Sequence, residues 1–149
     1  MTSERTTAAA YLHTKVMTAA PEELRLMLID GAIRFARSAR EGLAQENYEQ
    51  SYQGVSSCRD IIVELMTNLR EDVDPELCDR VRAIYGFIFQ ELTEASMSKR
   101  PERMDKILEL LDYERETWIL LMDKLAEDRA TDAGPVEHAF DGGSLSIEA

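Results

Sequence analysis

The side chains best suited to chemistry are two histidines, His13 and His138, and two cysteines, Cys58 and Cys78. A di-iron helical bundle needs paired Glu-x-x-His motifs aimed inward, and both histidines fall outside the predicted helices. A zinc site needs more thiols and imidazoles than this scattered set provides. No phosphate-cradling glycine loop and no G-x-S-x-G elbow occurs. Glu114 and Arg115 border an apolar stripe, where an ion pair or a capping contact explains them better than catalysis. The two cysteines sit inside helical patterns and read as small core residues rather than a disulfide. The sequence therefore predicts no enzyme, no cofactor and no metal site.

Charge narrows the partners. The chain of 149 residues carries 29 acidic and 17 basic side chains, a formal net charge of -12. Nucleic acid demands a basic stripe against its phosphates, and anionic membrane surfaces make the same demand. Neither is expected as a partner. A strong negative charge does keep a protein soluble while it holds something apolar. No run of about 18 apolar residues is present, so no membrane insertion is predicted. The first ten residues lack the apolar stretch of a secretory signal, which predicts a cytoplasmic protein.

The elements that must position any binding residues are helices. Ala, Leu, Glu, Arg and Met are abundant, and 7 glycines and 4 prolines are few. Residues 1–20 read as a leading arm with Tyr11, Leu12, Val16 and Met17 as its apolar points. Pro21, favoured at a first helical position, and the acidic Glu22 and Glu23 open a helix over about 21–42. Its core stripe is Leu24, Leu28, Gly31, Ala32, Phe35, Ala39 and Leu43. Gln45, Glu46 and Asn47 supply the stop. A second helix over about 48–70 carries Tyr48, Tyr52, Val55, Cys58, Ile62, Leu65, Met66 and Leu69. Asp74 and Pro75 start a third, about 75–97, with Leu77, Val81, Ile84, Ile88, Leu92 and Ala95 inside. The fourth spans about 101–128, with Met104, Ile107, Leu108, Leu111, Trp118, Met122 and Leu125, Trp118 acting as a core anchor. Short turns between such helices predict an all-α, antiparallel up-down-up-down four-helix bundle over residues 21–129. An acidic, disordered tail is expected from 130 to 149.

Apolar residues exceed what one stripe per helix needs. At about 100° per residue, Leu26, Ile29 and Ile33 group together on the side away from Leu24, Leu28 and Phe35. Phe87 and Phe89 flank the third stripe on either side, with Tyr85 beside Phe89, and Leu110 and Leu121 flank the fourth. Such residues can be edge positions that cover neighbouring helices or the leading arm; the alignment of the Leu26, Ile29 and Ile33 trio favours the other reading, a groove for amphipathic helices supplied by a partner. Charging the trio, as in Ile33→Asp, is expected to abolish binding and leave the helices intact.

The run from Thr18 to Phe35, TAAPEELRLMLIDGAIRF, resembles the signature of the flagellar secretion chaperone family FliS, roughly T-A-S-P-x-x-L-x-x-M-L-Y-D-G-A-I-R-F. Ile61-Ile62-Val63-Glu64-Leu65, then Ile84-Tyr85 with Leu92 and Ala95, then Leu111, Arg115 and Trp118 follow in the family's order. The likeness covers roughly Tyr11 to Leu125. Two positions depart from it. Ala20 replaces a capping serine, a change that typically costs about 1 kcal/mol, and Ile29 replaces a tyrosine and its hydroxyl.

The resemblance implies a bundle that binds the C-terminal segment of flagellin, prevents premature polymerisation and delivers the segment to the flagellar export gate. It also implies that the chaperone's own arm can cover the site, which makes Tyr11 and Val16 candidates for a plug. The residues expected to line the flagellin groove are Leu26, Ile29, Ile33, Ile61, Tyr85, Phe89, Leu110 and Leu121. A regulatory or structural adaptor that uses the same groove for another helical partner, including a second copy of the chain as a homodimer, is the competing reading.

Overall fold

The computed structural model describes residues 21–67, 69 and 75–143. Among them are four α-helices and no strand: α1 (Pro21–Ala44), α2 (Tyr48–Thr67), α3 (Pro75–Ser98) and α4 (Arg103–Gly143). The chain divides into two compact units, one ending at Arg115 and one beginning at Glu116.

In the first unit, cross-helix contacts fix both the order and the direction of the helices. Gln50 donates to the Ser38 carbonyl, Cys58 to the Ala32 carbonyl and Arg25 to the Leu65 carbonyl. As residue numbers rise along α2 they fall along α1, so the two run antiparallel. Lys99 lies over the Tyr48 ring and Arg59 over the Phe89 ring, which sets α3 antiparallel to α2. Glu91 pairs with Arg103 across the last turn. The ion pairs Arg40–Asp105 and Arg115–Asp30 close the ring between α4 and α1. The result is the predicted all-α, up-down-up-down bundle.

The turn after α1 shows how local chemistry ends a helix. Asn47 N–H donates to the Gly42 carbonyl (2.7 Å) and Glu46 N–H to the Leu43 carbonyl (3.2 Å). This is the paired closure of a Schellman turn. It places Glu46 at φ 57°, a left-handed position where glycine is usual. Asn47 then accepts from the Gln50 N–H through its side chain (3.2 Å) and so caps α2.

The core of the first unit is made of Ile29, Ala32, Ile33, Ala36, Ala39, Leu43, Val55, Cys58, Ile62, Leu65, Cys78, Tyr85, Ile88, Leu92, Ala95, Met104, Ile107 and Leu111. Both cysteines are free thiols within it. The face of α1 that turns inward differs from the predicted one. Ile29 and Ile33, expected on the outside, are only 1% and 5% exposed, whereas Leu24, Leu28 and Phe35 are half-buried. The physical reason is the ring itself. α1 meets α2 through Gly31, Phe35, Ala39 and Gly42 on one flank, and α4 through Asp30 and Arg40 on the other. Its buried arc must bridge both, and that arc takes in Ile29 and Ile33.

The second unit is the continuation of α4 as one helix to Gly143. The sequence predicts its end near 128 and disorder from 130. Arg129, Ala130 and Thr131 contain no stop signal, and the helix runs past Gly134 and Pro135, so His138 lies at a helical position rather than outside one. Residues 1–20, with Tyr11, Val16 and His13, and residues 144–149 lie outside the described residues.

Candidate partner-binding surface

The eight residues expected to line one groove are dispersed by the fold. Ile29, Ile33 and Tyr85 are core residues. Leu26, Ile61, Phe89 and Leu110 are half-buried, and Ile61 presses its Cδ1 toward Gly31 at the α1–α2 contact. Leu121 is exposed and belongs to the second unit. The outward trio on α1 therefore does not exist as a surface. Trp118, expected as a core anchor, is half-buried in the second unit.

Large apolar side chains do reach solvent, but on the other helices. Tyr48, Tyr52 and Val63 are exposed on α2, Leu77, Phe87 and Met97 on α3, and Tyr113, Leu120 and Leu121 on α4. Tyr52 is 66% exposed and Tyr113 61%, too open for edge positions that merely cover a neighbour. Helical geometry sorts Tyr48, Tyr52, Val63, Phe87 and Tyr113 of the first unit into two strips. Arg59 over Phe89 (4.8 Å) and Lys99 over Tyr48 (4.6 Å) mark the α2–α3 seam. Tyr52 follows Tyr48 by four residues and Val63 follows Arg59 by four, so both continue that seam's outer edge. The Glu91–Arg103 pair (3.3 Å) marks the α3–α4 seam. Ile84 and Leu110 lie seven residues from Glu91 and Arg103, on the same faces, and Phe87 and Tyr113 lie three further on. α3 thus stands between two strips of aromatic and aliphatic surface.

Sequence reasoning placed Tyr48, Tyr52 and Leu77 in core stripes, where the structure has all three exposed, and assigned no surface role to Val63, Met97 and Tyr113. It did set Phe87 on the flank of α3, where the structure has it exposed. Tyr52 stands four residues from both Tyr48 and Ser56, a row distinct from the one through Val55, Cys58 and Ile62. That angular offset was a usable signal.

The polar groups near these strips are built for packing and orientation. The Arg59 Nε is buried without a hydrogen-bond acceptor while its guanidinium covers Phe89. At the end of the bundle where α1 begins, Arg25 stands 5.9 Å from the centre of the Tyr85 ring. Burial pushes the Tyr85 hydroxyl well above the usual phenol range, with the Glu114 carboxylate adding to the effect. Burial likewise raises Glu114, partly offset by Tyr85 and Arg25. The Cys58 thiol, enclosed against the Ala32 carbonyl, is pushed up to about 12 by burial. A thiol held that far from ionisation is a poor nucleophile. Arg115 and Asp30 form a half-exposed ion pair (2.5 Å), in keeping with the structural reading of Arg115. Among the described residues no group of three or more His, Cys, Asp or Glu could hold a metal ion, and no helix is long and apolar enough to cross a membrane.

The chain is similar to the flagellar secretion chaperone FliS of Bacillus subtilis (strain 168), 26% identical over 125 residues, covering 84% of this chain and 92% of that protein. It is 24% identical over 109 residues to the flagellar secretion chaperone FliS of Campylobacter jejuni, covering 73% and 85% of the two chains. It is 21% identical over 105 residues to that of Vibrio cholerae, covering 70% and 77%. The fold matches a crystal structure of a bacterial flagellar chaperone with a TM-score of 0.66 at 16% identity, over 81% of this chain and 98% of that one. The profile of the family described as flagellar protein FliS matches residues 4–125, and the chain belongs to that family.

Proposed function

We propose that this chain is a flagellar export chaperone that binds the C-terminal segment of flagellin in the cytoplasm and keeps it from polymerising until it reaches the export gate. The observation that carries this reading is the apolar surface that the bundle leaves uncovered on α2, α3 and α4: Tyr52, Val63, Phe87 and Tyr113 in a chain of net charge -12. Family membership and the flagellar secretion chaperones to which the chain is similar support the choice of cargo.

A flagellin terminus carries apolar stripes meant for burial between subunits of the filament. Laid along the α2–α3 and α3–α4 seams, those stripes lose contact with water without meeting another flagellin. Ordering a disordered segment costs about 2–5 kcal/mol, which holds affinity within a releasable range. In the same reading, Tyr11 and Val16 of the leading arm compete with cargo, so only the uncovered fraction binds. No catalytic step is part of the proposal.

The test is calorimetry of the full chain with a flagellin C-terminal peptide. Tyr52→Asp and Phe87→Asp, both at exposed positions, should each weaken binding by about ten-fold or more and leave the circular dichroism unchanged. Replacing Tyr11 and Val16 with alanine should tighten it. A wild-type chain that ignores the peptide, or charged variants that bind as before, would overturn the reading. In that case a helical adaptor for another partner takes its place.

A further inference from the structure

A cleft of about 450 Å³ opens between α1 and α4, lined by Asp30, Ile33, Arg34, Arg37, Asp112 and Arg115. All six residues lie in the unit that ends at Arg115. The cleft is on the α1–α4 side of the ring, across from the α2–α3 seam, and its chemistry differs from that of either apolar strip. Three guanidiniums face two carboxylates, a local excess of positive charge in a chain whose formal net charge is -12.

Only part of this charge is used internally. Arg115 donates to Asp30, which holds both in place. Arg34 has a ring contact with Phe35, 6.0 Å from its centroid, and among the described residues no carboxylate within ion-pair distance. Among the described residues, Arg37 is exposed and has no acidic partner either, and Asp112 across the cleft has no basic one. Arg34 and Arg37 are three residues apart and therefore neighbours on the helix surface. Two planar, always-charged forks at that spacing suit a carboxylate, which each can grip through paired N–H donors. Asp30 and Asp112 would repel a dense polyanion, while Asp112 can take a cation. Ile33, 5% exposed, supplies an apolar floor.

We propose that the α1–α4 cleft is a second docking site, taking a peptide segment of mixed charge whose carboxylate sits between Arg34 and Arg37 and whose cation meets Asp112. The proposal goes beyond the cargo assignment and stands or falls separately from it, because none of these residues belongs to the apolar strips.

The probe is a fluorescein-labelled peptide of four Glu-Lys repeats, followed by anisotropy with the full chain. Its control is the matching Gln-Lys peptide, which lacks carboxylates. Glu-Lys should bind, and more weakly as salt is raised. The double substitution R34Q/R37Q should weaken it by about ten-fold or more, with the melting temperature and the flagellin-peptide affinity unchanged. D112N should weaken it as well. The Gln-Lys peptide should not lose affinity to R34Q/R37Q. The proposal is overturned if Glu-Lys fails to bind, if R34Q/R37Q leaves its affinity intact or weakens Gln-Lys equally, or if tripolyphosphate displaces it at lower concentration than unlabelled peptide. The last result would mark a plain anion site.

Discussion

Gly54 of α2 lies directly against the backbone of Ala39 of α1: a Cβ placed on Gly54 would stand 2.8 Å from the Ala39 nitrogen, and 2.8 Å from the carbonyl oxygen of Phe35. Both neighbours are backbone atoms that cannot rotate aside. Gly54→Ala should therefore destabilise the bundle by about 1–3 kcal/mol, the usual range for overpacking. Gly86, in the middle of α3, has nothing within 4 Å of its would-be Cβ. Gly86→Ala should stabilise by about 0.5–1 kcal/mol, because alanine loses less backbone freedom in a helix. Urea melts of the two variants check the pair; shifts in the same direction would contradict the close α1–α2 contact.

Ile33 is 5% exposed. A carboxylate there would replace apolar contacts in the core, so Ile33→Asp should cost roughly 3 kcal/mol and lower the helical signal at moderate denaturant. Its sequence-based expectation was the opposite, lost binding with intact helices. Denaturation followed by circular dichroism separates the two, and an unchanged midpoint would put Ile33 back on the surface.

The burial of Glu114 gives the bundle an expected pH dependence. Burial raises its carboxyl above the ordinary value of 4.5, so the folded chain holds the proton more tightly than the unfolded one. Between that value and the raised one, stability falls as pH rises, and the cost is fully present above the raised value. Glu114→Gln should melt higher than wild type at pH 7, and its advantage should shrink as the pH is lowered toward 4.5. An advantage that grows on acidification would show that Arg25 and Tyr85 outweigh burial.

The Cys58 thiol, pushed up to about 12 and buried, should resist alkylation at pH 8 in the native protein. Cys78, also buried, should resist with it. Mass spectrometry after brief iodoacetamide treatment should find both thiols unmodified, and both modified once urea unfolds the chain. Rapid native labelling of Cys58 would mean that the α1–α2 contact opens readily.

Much of this molecule was legible before any coordinates. Pro21, Tyr48 and Pro75 begin α1, α2 and α3 as their chemistry predicts, and Asn47 caps α2 where the polar run after Gly42 ends α1. The Thr18–Phe35 run pointed to the family whose profile matches residues 4–125. These features depend on neighbours within a few residues, and short-range sterics and hydrogen bonds act at that distance.

The sequence by itself determined the helical class, the up-down order and the family, since periodicity, caps and short turns carry that information. Only the tertiary structure decided which way each helix faces. Periodicity specifies the angle between Ile33 and Phe35 but not the rotation of the whole helix. That rotation is set by two neighbours at once, α2 against the small residues of α1 and α4 against Asp30 and Arg40. The outcome buries Ile29 and Ile33 and leaves Tyr52, Phe87 and Tyr113 to the solvent.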